Sequence, residues 1–166
     1  MLAATAPVPE LFPGVPDTHV LTECPMVDAP GGPMPLRDWL RHFAGVDAWS
    51  EVVSRFYTRA AADPDIAGYF AHVDMARLQR HFLAALMIVT GQGVTVGVVR
   101  RMQTAHAAVR NAHGQPITDA TWNTVIGVLA GVLGELGTPP ATLVALATTI
   151  APIRAAIVTE PEVPAR

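Results

Sequence analysis

Two histidines in predicted helices, His81 and His106, are candidate metal ligands, because a neutral imidazole nitrogen is the protein group that most often ligates a transition metal. His106 ends the run RRMQTAH at residues 100–106, which predicts a short amphipathic helix after a glycine-rich loop. His81 precedes Phe82 in an earlier predicted helix, so the two side chains point about 100° apart round the helix axis. We therefore expect His81 at the edge of an apolar face, open to a role as ligand or to solvent.

The rest of the composition excludes several other kinds of site. All 11 residues counted as Lys+Arg are arginine, which excludes a Schiff-base lysine and a phosphate loop with its usual lysine. Cys24 is the single cysteine, so neither an intramolecular disulfide nor a cysteine-cluster metal site can form. A lone cysteine also suits a reducing cytoplasm, where we expect the protein. The net charge of -3 predicts no nucleic-acid partner, and no basic cluster suits a membrane surface.

The elements that must position these histidines are helices. The chain of 166 residues is long enough for one domain with its own core, and it is 51% hydrophobic with apolar residues at three- and four-residue spacing. An all-α fold is predicted, with helices over residues 35–43, 48–61, 75–89, a segment through His106, 120–136 and 141–158. The last helix approaches the length of a membrane span, but Pro152 and Arg154 favour a core helix.

Residues 1–35 are rich in proline, which fixes φ and removes N–H donors, so we expect an irregular extension. A solvated or loosely packed segment is the favoured prediction. The alternative is that its apolar residues wrap onto the surface of the domain, namely Leu11, Phe12, Val15, Val20 and Leu21. Residues 36–158 form the predicted domain and residues 159–166 a tail.

Several short motifs follow one another along residues 36–158. In chain order they are FYTR at 56–59, ADPD at 62–65 with the pair Tyr69-Phe70, VDMARL at 73–78, MQTAH at 102–106, ITD at 117–119 with Trp122, and APIR at 151–154. Their order and spacing resemble those of the group I truncated (two-over-two) haemoglobins. FYTR is similar to the family's Phe-Tyr-x-Arg, and MQTAH is similar to the Met-x-x-Ala-His that carries the proximal haem ligand.

The resemblance implies a globin-like two-over-two helical sandwich around one haem b, with His106 as the iron ligand. It implies Tyr57 as hydrogen-bond donor to O2, and His81 as a second iron ligand or as a residue near solvent. The other residues expected at the haem, as pocket wall or beside a propionate, are Phe70, Leu78, Phe82, Leu86, Arg100, Arg101 and Met102. The sequence departs from the family at Phe82, where many relatives carry a glutamine that assists the tyrosine.

The function that the resemblance implies is binding of O2, NO or CO, with oxidation of NO to nitrate as the detoxifying reaction. Since no flavin or nicotinamide fingerprint is present, an external electron donor is expected. Two alternatives stay open. If both His81 and His106 ligate iron, the protein is an electron-transfer or redox-sensing globin. If the apolar wall of Leu78 and Phe82 receives an organic molecule, it is a haem enzyme. A monomer or weak homodimer is expected in each case.

Overall fold

Six α-helices make up most of residues 12–159, the part of the chain that the computed structural model describes. They are α1 Leu36–Phe43, α2 Ala48–Ala62, α3 Met75–Gln92, α4 Val96–His106, α5 Asp119–Glu135 and α6 Pro140–Ile157. A 3₁₀ helix, Ala67–Tyr69, lies between α2 and α3. Helices α2 and α3 pack on each other, α5 and α6 form a second pair, and α2 lies against α5. The predicted all-α, globin-like fold is confirmed.

Side-chain caps explain where three of the helices begin. The carboxylate of Asp74 accepts a hydrogen bond from the N–H of Arg77 (3.0 Å) and starts α3. The hydroxyl of Thr95 accepts from the N–H of Val98 (3.2 Å) at the start of α4. At the start of α5, Thr118 forms a reciprocal capping box with Thr121. These caps hold the helices that carry His81 and His106 and the helix that follows them.

The core lies between the two helix pairs. On α2 every third or fourth residue is buried, as the apolar spacing predicts for a helix with one covered face. The buried apolar residues of α2, α5 and α6 include Val52, Val53, Phe56, Ala60, Leu129, Val132, Leu133, Leu146, Ile150 and Ile153. Of the helices described, only α6 is long and apolar enough to cross a membrane by length and composition. Its buried residues nevertheless belong to this core.

The N-terminal extension differs from the favoured prediction. Strand β1, Val20–Thr22, pairs antiparallel with β4, Val94–Thr95, and β2, Met26–Val27, pairs with β3, Met34–Pro35. Phe12 and Leu21 pack against the core, and Val27 is buried. A loosely packed segment is therefore the wrong expectation for residues 12–35, and the alternative of a wrapped segment describes them. Leu11 lies outside the described residues.

Both ends of the predicted domain join neighbouring segments through hydrogen bonds. Thr159, where the predicted tail begins, donates its N–H to the carbonyl of Ile117 (2.9 Å). The division of the chain near residues 35 and 158 stays a prediction. The glycine-rich stretch before α4 is largely helical, because Gly91 belongs to α3 and Gly97 to the first turn of α4. Helix α4 ends at His106 itself.

Candidate cofactor-binding site

Three aromatic rings from different elements meet on one side of the site. The centroid of the Tyr57 ring on α2 lies 5.6 Å from that of Phe70, which follows the 3₁₀ helix, and 5.7 Å from that of Phe82 on α3. Both pairs are edge-to-face, an arrangement that aromatic quadrupoles favour. Phe82 also lies 4.7 Å from Phe56, measured between centroids. The structure thus brings together Tyr57, Phe70 and Phe82, as predicted.

The Tyr57 side chain is buried while its hydroxyl has no protein partner among the described residues. Burial raises the pKa of Tyr57 well above its usual value, because the phenolate would lose solvation. Tyr57 is therefore a protonated hydroxyl, free to donate a hydrogen bond to a small ligand.

His106 lies half-buried at the end of α4, with its ring held by one hydrogen bond. Its Nδ1 lies 2.7 Å from the carbonyl oxygen of Met102, which can only accept, so Nδ1 carries the proton. Nε2 is then left with a lone pair. Loss of solvent lowers the pKa of His106, and the smaller opposing effect of the Met102 hydrogen bond raises it. The result is a neutral, oriented imidazole, the form that ligates a metal.

The helices that carry the predicted ligands pack on different partners. Helix α4 packs mainly on α6, whereas α3 packs on α2 and α1. Four apolar side chains of the predicted site are only partly buried, although they contact the core: Phe70, Leu78, Phe82 and Met102. Leu86 lies deeper, at 5% exposure. Apolar side chains that the protein covers only in part could be covered by a flat hydrophobic cofactor.

The donor set also fits an iron porphyrin. Across residues 12–159, no group of three or more His, Cys, Asp or Glu side chains could hold a metal ion. One imidazole alone is a weak site for a bare ion, whereas a porphyrin supplies four nitrogens of its own and needs an axial donor. His106 offers that donor, and the apolar residues named above suit the ring.

His81 is placed differently from the aromatic cluster. Its side chain is exposed, and it makes no hydrogen bond with any residue between 12 and 159. Ligation of iron by His81 would require its ring to turn inward from the edge of α3, so that role stays a prediction. The remaining histidines, expected at the surface or in a loop, are all exposed: His19, His42, His72 and His113.

Arg100 has a partner that the sequence did not indicate. Its guanidinium forms an ion pair with Asp17 in the N-terminal extension, 83 residues earlier in the chain. The ion pair uses one nitrogen of the guanidinium, and the expectation that Arg100 lies beside a propionate stays a prediction. Arg101 is exposed and keeps that role as a prediction. The pairing could not be foreseen, because no local pattern connects residues so far apart.

Tyr69 is a positioning residue that the sequence indicated only as half of an aromatic pair. Its hydroxyl donates to the carbonyl of Pro116 (2.6 Å) and lies 3.3 Å from the hydroxyl of Thr121. Gly68 approaches Asn111 and Ala112 closely, so that a Cβ there would lie 3.5 Å from the Asn111 side chain. The 3₁₀ helix is joined in this way to the segment between α4 and α5.

No family model matches the sequence, and no curated protein matches it either. Solved structures do match. A truncated haemoglobin from Tetrahymena pyriformis in its Fe(III) form aligns with a TM-score of 0.58 at 23% identity, over 73% of this chain and 97% of that one. The 2/2 haemoglobin of Synechococcus sp. PCC 7002, in the cyanomet state with covalently attached haem, gives 0.58 at 19% identity, over 75% and 98%.

A truncated haemoglobin from Chlamydomonas reinhardtii gives a TM-score of 0.57 at 21% identity, over 76% of this chain and 98% of that one. Nearly the whole of each neighbour is matched, while about a quarter of this chain lies outside the alignment. Sequence identities this low leave the ligand to be argued from the residues of the site. The chain has the fold of the truncated haemoglobins.

Proposed function

We propose that this protein is a group I truncated haemoglobin that binds haem b through Nε2 of His106. The observation that carries the proposal is the hydrogen bond from Nδ1 of His106 to the Met102 carbonyl (2.7 Å). It fixes the neutral tautomer and leaves Nε2 as a donor beside an apolar face. Support also comes from the structural neighbours, whose descriptions include Fe(III) and covalently attached haem.

Haem, when bound, supplies an iron centre for O2, NO or CO. The chain's own residues then decide what happens to the gas. Tyr57 donates a hydrogen bond from its protonated hydroxyl, while Phe70, Leu78 and Phe82 keep water away from the reacting atoms. A hydrogen bond in such a place contributes about 1 kcal/mol, and up to about 3 kcal/mol if the acceptor carries charge.

The reaction that this arrangement supports best is oxidation of NO to nitrate, in which NO, O2 and one electron give NO3⁻. The electron comes from an external reductase, because the sequence contains no flavin- or nicotinamide-binding fingerprint. The exposed ring of His81 favours an open gas-binding face over the bis-histidine alternative. We place the protein in the cytoplasm, as a monomer or weak homodimer.

Replacing His106 tests the haem proposal directly. The His106→Ala variant should lose the sharp absorption bands of the ligated haem, since the axial nitrogen is gone. His113→Ala is the matched control, because His113 is an exposed loop histidine seven residues later and should leave the spectrum unchanged. Haem uptake by His106→Ala with an unaltered spectrum would contradict the proposal.

Replacing Tyr57 tests the chemistry proposed for the gas. Tyr57→Phe keeps the ring and removes the donor, so O2 should leave the protein about fivefold faster or more, and NO-driven nitrate formation should slow. Tyr69→Phe removes a hydroxyl that bonds the Pro116 carbonyl instead, and serves as the control. Unchanged rates of O2 release and nitrate formation in Tyr57→Phe would contradict the role proposed for Tyr57. The proposal that His106 binds haem would still stand.

A further inference from the structure

Residues 17–24 of the N-terminal extension run along the start of α4. The carbonyl of His19 accepts a hydrogen bond from the N–H of Val96 (3.0 Å), and the carbonyl of Asp17 accepts from the N–H of Gly97 (2.7 Å). These N–H groups belong to the first turn of the helix, which has no intrahelical acceptors for them. Two of the first three donors of α4 are therefore satisfied by the extension, and Thr95 satisfies the third.

The extension also fits tightly against the junction between α3 and α4. Val20 pairs with Thr95 and Thr22 pairs with Val94 in the β1–β4 ladder. Gly93, between α3 and β4, has a φ of +84°, and a Cβ there would collide with the Thr22 carbonyl and lie 2.9 Å from the Cys24 nitrogen. The backbone at this junction is thus shaped for a glycine with the extension lying across it.

Helix α6 holds the other side of the same segment. The hydroxyl of Thr22 donates to the carbonyl of Thr149. The hydroxyl of Thr149 is shared between the carbonyl of Glu23 in the extension (3.1 Å) and that of Ala145 in its own helix (2.8 Å). The Asp17 carboxylate adds its ion pair with Arg100 on α4. Residues 17–24 therefore connect the start of α4 to α6, the helix on which α4 packs.

We propose that residues 17–24 form a strap that sets the orientation of α4 and so positions the His106 ring on the haem iron. The inference rests on the proposed function and deepens it, with Asp17, Thr22 and Thr149 as positioning residues. His106 lies ten residues after Val96, about 15 Å along the helix. A tilt of about 4° at the strapped end would displace the imidazole by about 1 Å over that length. Orientation of an axial ligand tunes the metal that it holds.

The test uses the full chain with two threonines exchanged in each of two variants. Thr22→Val/Thr149→Val removes both hydroxyls that join the strap to α6. Thr58→Val/Thr148→Val is the matched control, because those exposed hydroxyls bond only the carbonyls of Ser54 and Val144 in their own helices. In the strap variant the Val96 and Gly97 amides should exchange with solvent about fivefold faster or more, and in the control they should not.

The second measurement reports on the iron ligand. In a His81→Leu background, which removes the other histidine considered as an axial ligand, the iron–histidine stretching band of the ferrous protein should shift to lower frequency in the strap variant. A merely structural strap would speed amide exchange and leave this band in place, which would overturn the inference. Unchanged amide exchange would overturn it as well.

The two proposals fail in distinguishable ways. Absence of haem uptake by the unchanged chain contradicts the proposed function. Amide exchange at Val96 and Gly97 needs no haem. It therefore measures the stability of the hydrogen bonds between the strap and α4 whether or not the cofactor binds. If the haem is ligated but its iron–histidine stretching band is the same in the strap variant, the proposed function stands. The inference that the strap positions His106 is then overturned.

Discussion

Protonation of His106 links the site to stability at the scale of a single residue. Loss of solvent lowers its pKa, and the hydrogen bond to Met102 opposes that shift only in part. The usual pKa of histidine is about 6.5, and the unfolded chain should titrate near it. The folded protein therefore binds this proton less readily than the unfolded chain does. Stability from this residue is present above the unfolded pKa and is lost as the pH falls through the folded pKa.

We accordingly expect the free energy of unfolding of the haem-free protein to fall as the pH drops below about 6.5. Urea unfolding at a series of pH values between 7.5 and 5 measures the slope. His106→Phe should show a shallower slope, because a group that must be buried neutral has been removed. An equal slope in His106→Phe and the parent would assign the acid sensitivity to other residues.

His81 separates two functions that share the same fold. Its exposed ring predicts a five-coordinate, high-spin ferrous haem, and His81→Leu should leave that spectrum unchanged. The absorption spectrum of the reduced protein with haem is the measurement. A six-coordinate, low-spin spectrum that His81→Leu converts to five-coordinate would establish the bis-histidine alternative. His72→Leu, another exposed histidine, serves as the control.

The sequence placed Tyr57 and His106 in helices, whereas it gave no sign of the partner of Arg100. Tyr57, Phe82 and His106 stand in helices whose apolar spacing already assigns their faces, and family motifs added their order. Arg100 could not be assigned, because its partner Asp17 is brought to it by folding of the extension. Only a resemblance pointed to a propionate, and the extension lies outside the stretch that carries the resemblance.

At the scale of elements, the helices were predictable from local sequence patterns, whereas the strands were not. Helices with a strong cap began within a residue of the predicted position, as at Asp74 and Thr118. The β1–β4 pairing was missed, because strands of two or three residues have no periodicity and their register depends on tertiary contacts. Proline content correctly indicated that no helix forms in residues 12–35, but it could not indicate that this segment packs on the core.

The capping box of α5 gives a prediction for one element. The Thr118 hydroxyl accepts from the N–H of Thr121 (3.1 Å), and removing it leaves a first-turn donor unpaired. Thr118→Ala should lower the free energy of unfolding by about 1 kcal/mol in urea. Thr124→Ala is the control within the same helix, since the Thr124 hydroxyl bonds only the Ala120 carbonyl one turn back. An equal loss of unfolding free energy in the two variants would show that the Thr118 cap does not contribute specifically to stability.

At the scale of the whole molecule, large apolar residues of the core lie on α2, α5 and α6, while most candidate site residues lie on α3 and α4 and Tyr57 on α2 belongs to both. The pairs α2 with α5 and α5 with α6 bury large apolar residues against one another, including Val52, Leu133 and Ile150. The apolar surface of α3 and α4 is covered less completely, since Phe82 and Met102 are only partly buried. A cofactor that covers this face should stabilise the fold without being needed to form it.

Removal of haem therefore has a defined expected result. The haem-free chain should stay folded and helical, because the α2, α5 and α6 core needs no cofactor. Haem at about a thousand times its dissociation constant should raise the free energy of unfolding by about 4 kcal/mol, since it binds only the folded state. Thermal unfolding followed by circular dichroism, with and without one equivalent of haem, measures the difference as a rise in midpoint.

The increase should depend on His106, which distinguishes ligation from nonspecific adsorption of a hydrophobic molecule. His106→Ala should lose most of the increase, and His113→Ala should keep it, because His113 is exposed in the loop after α4. A haem-free chain without helical structure would show instead that the cofactor is part of the core. Equal midpoints with and without haem would show that haem does not bind the folded chain, and would contradict the proposed function.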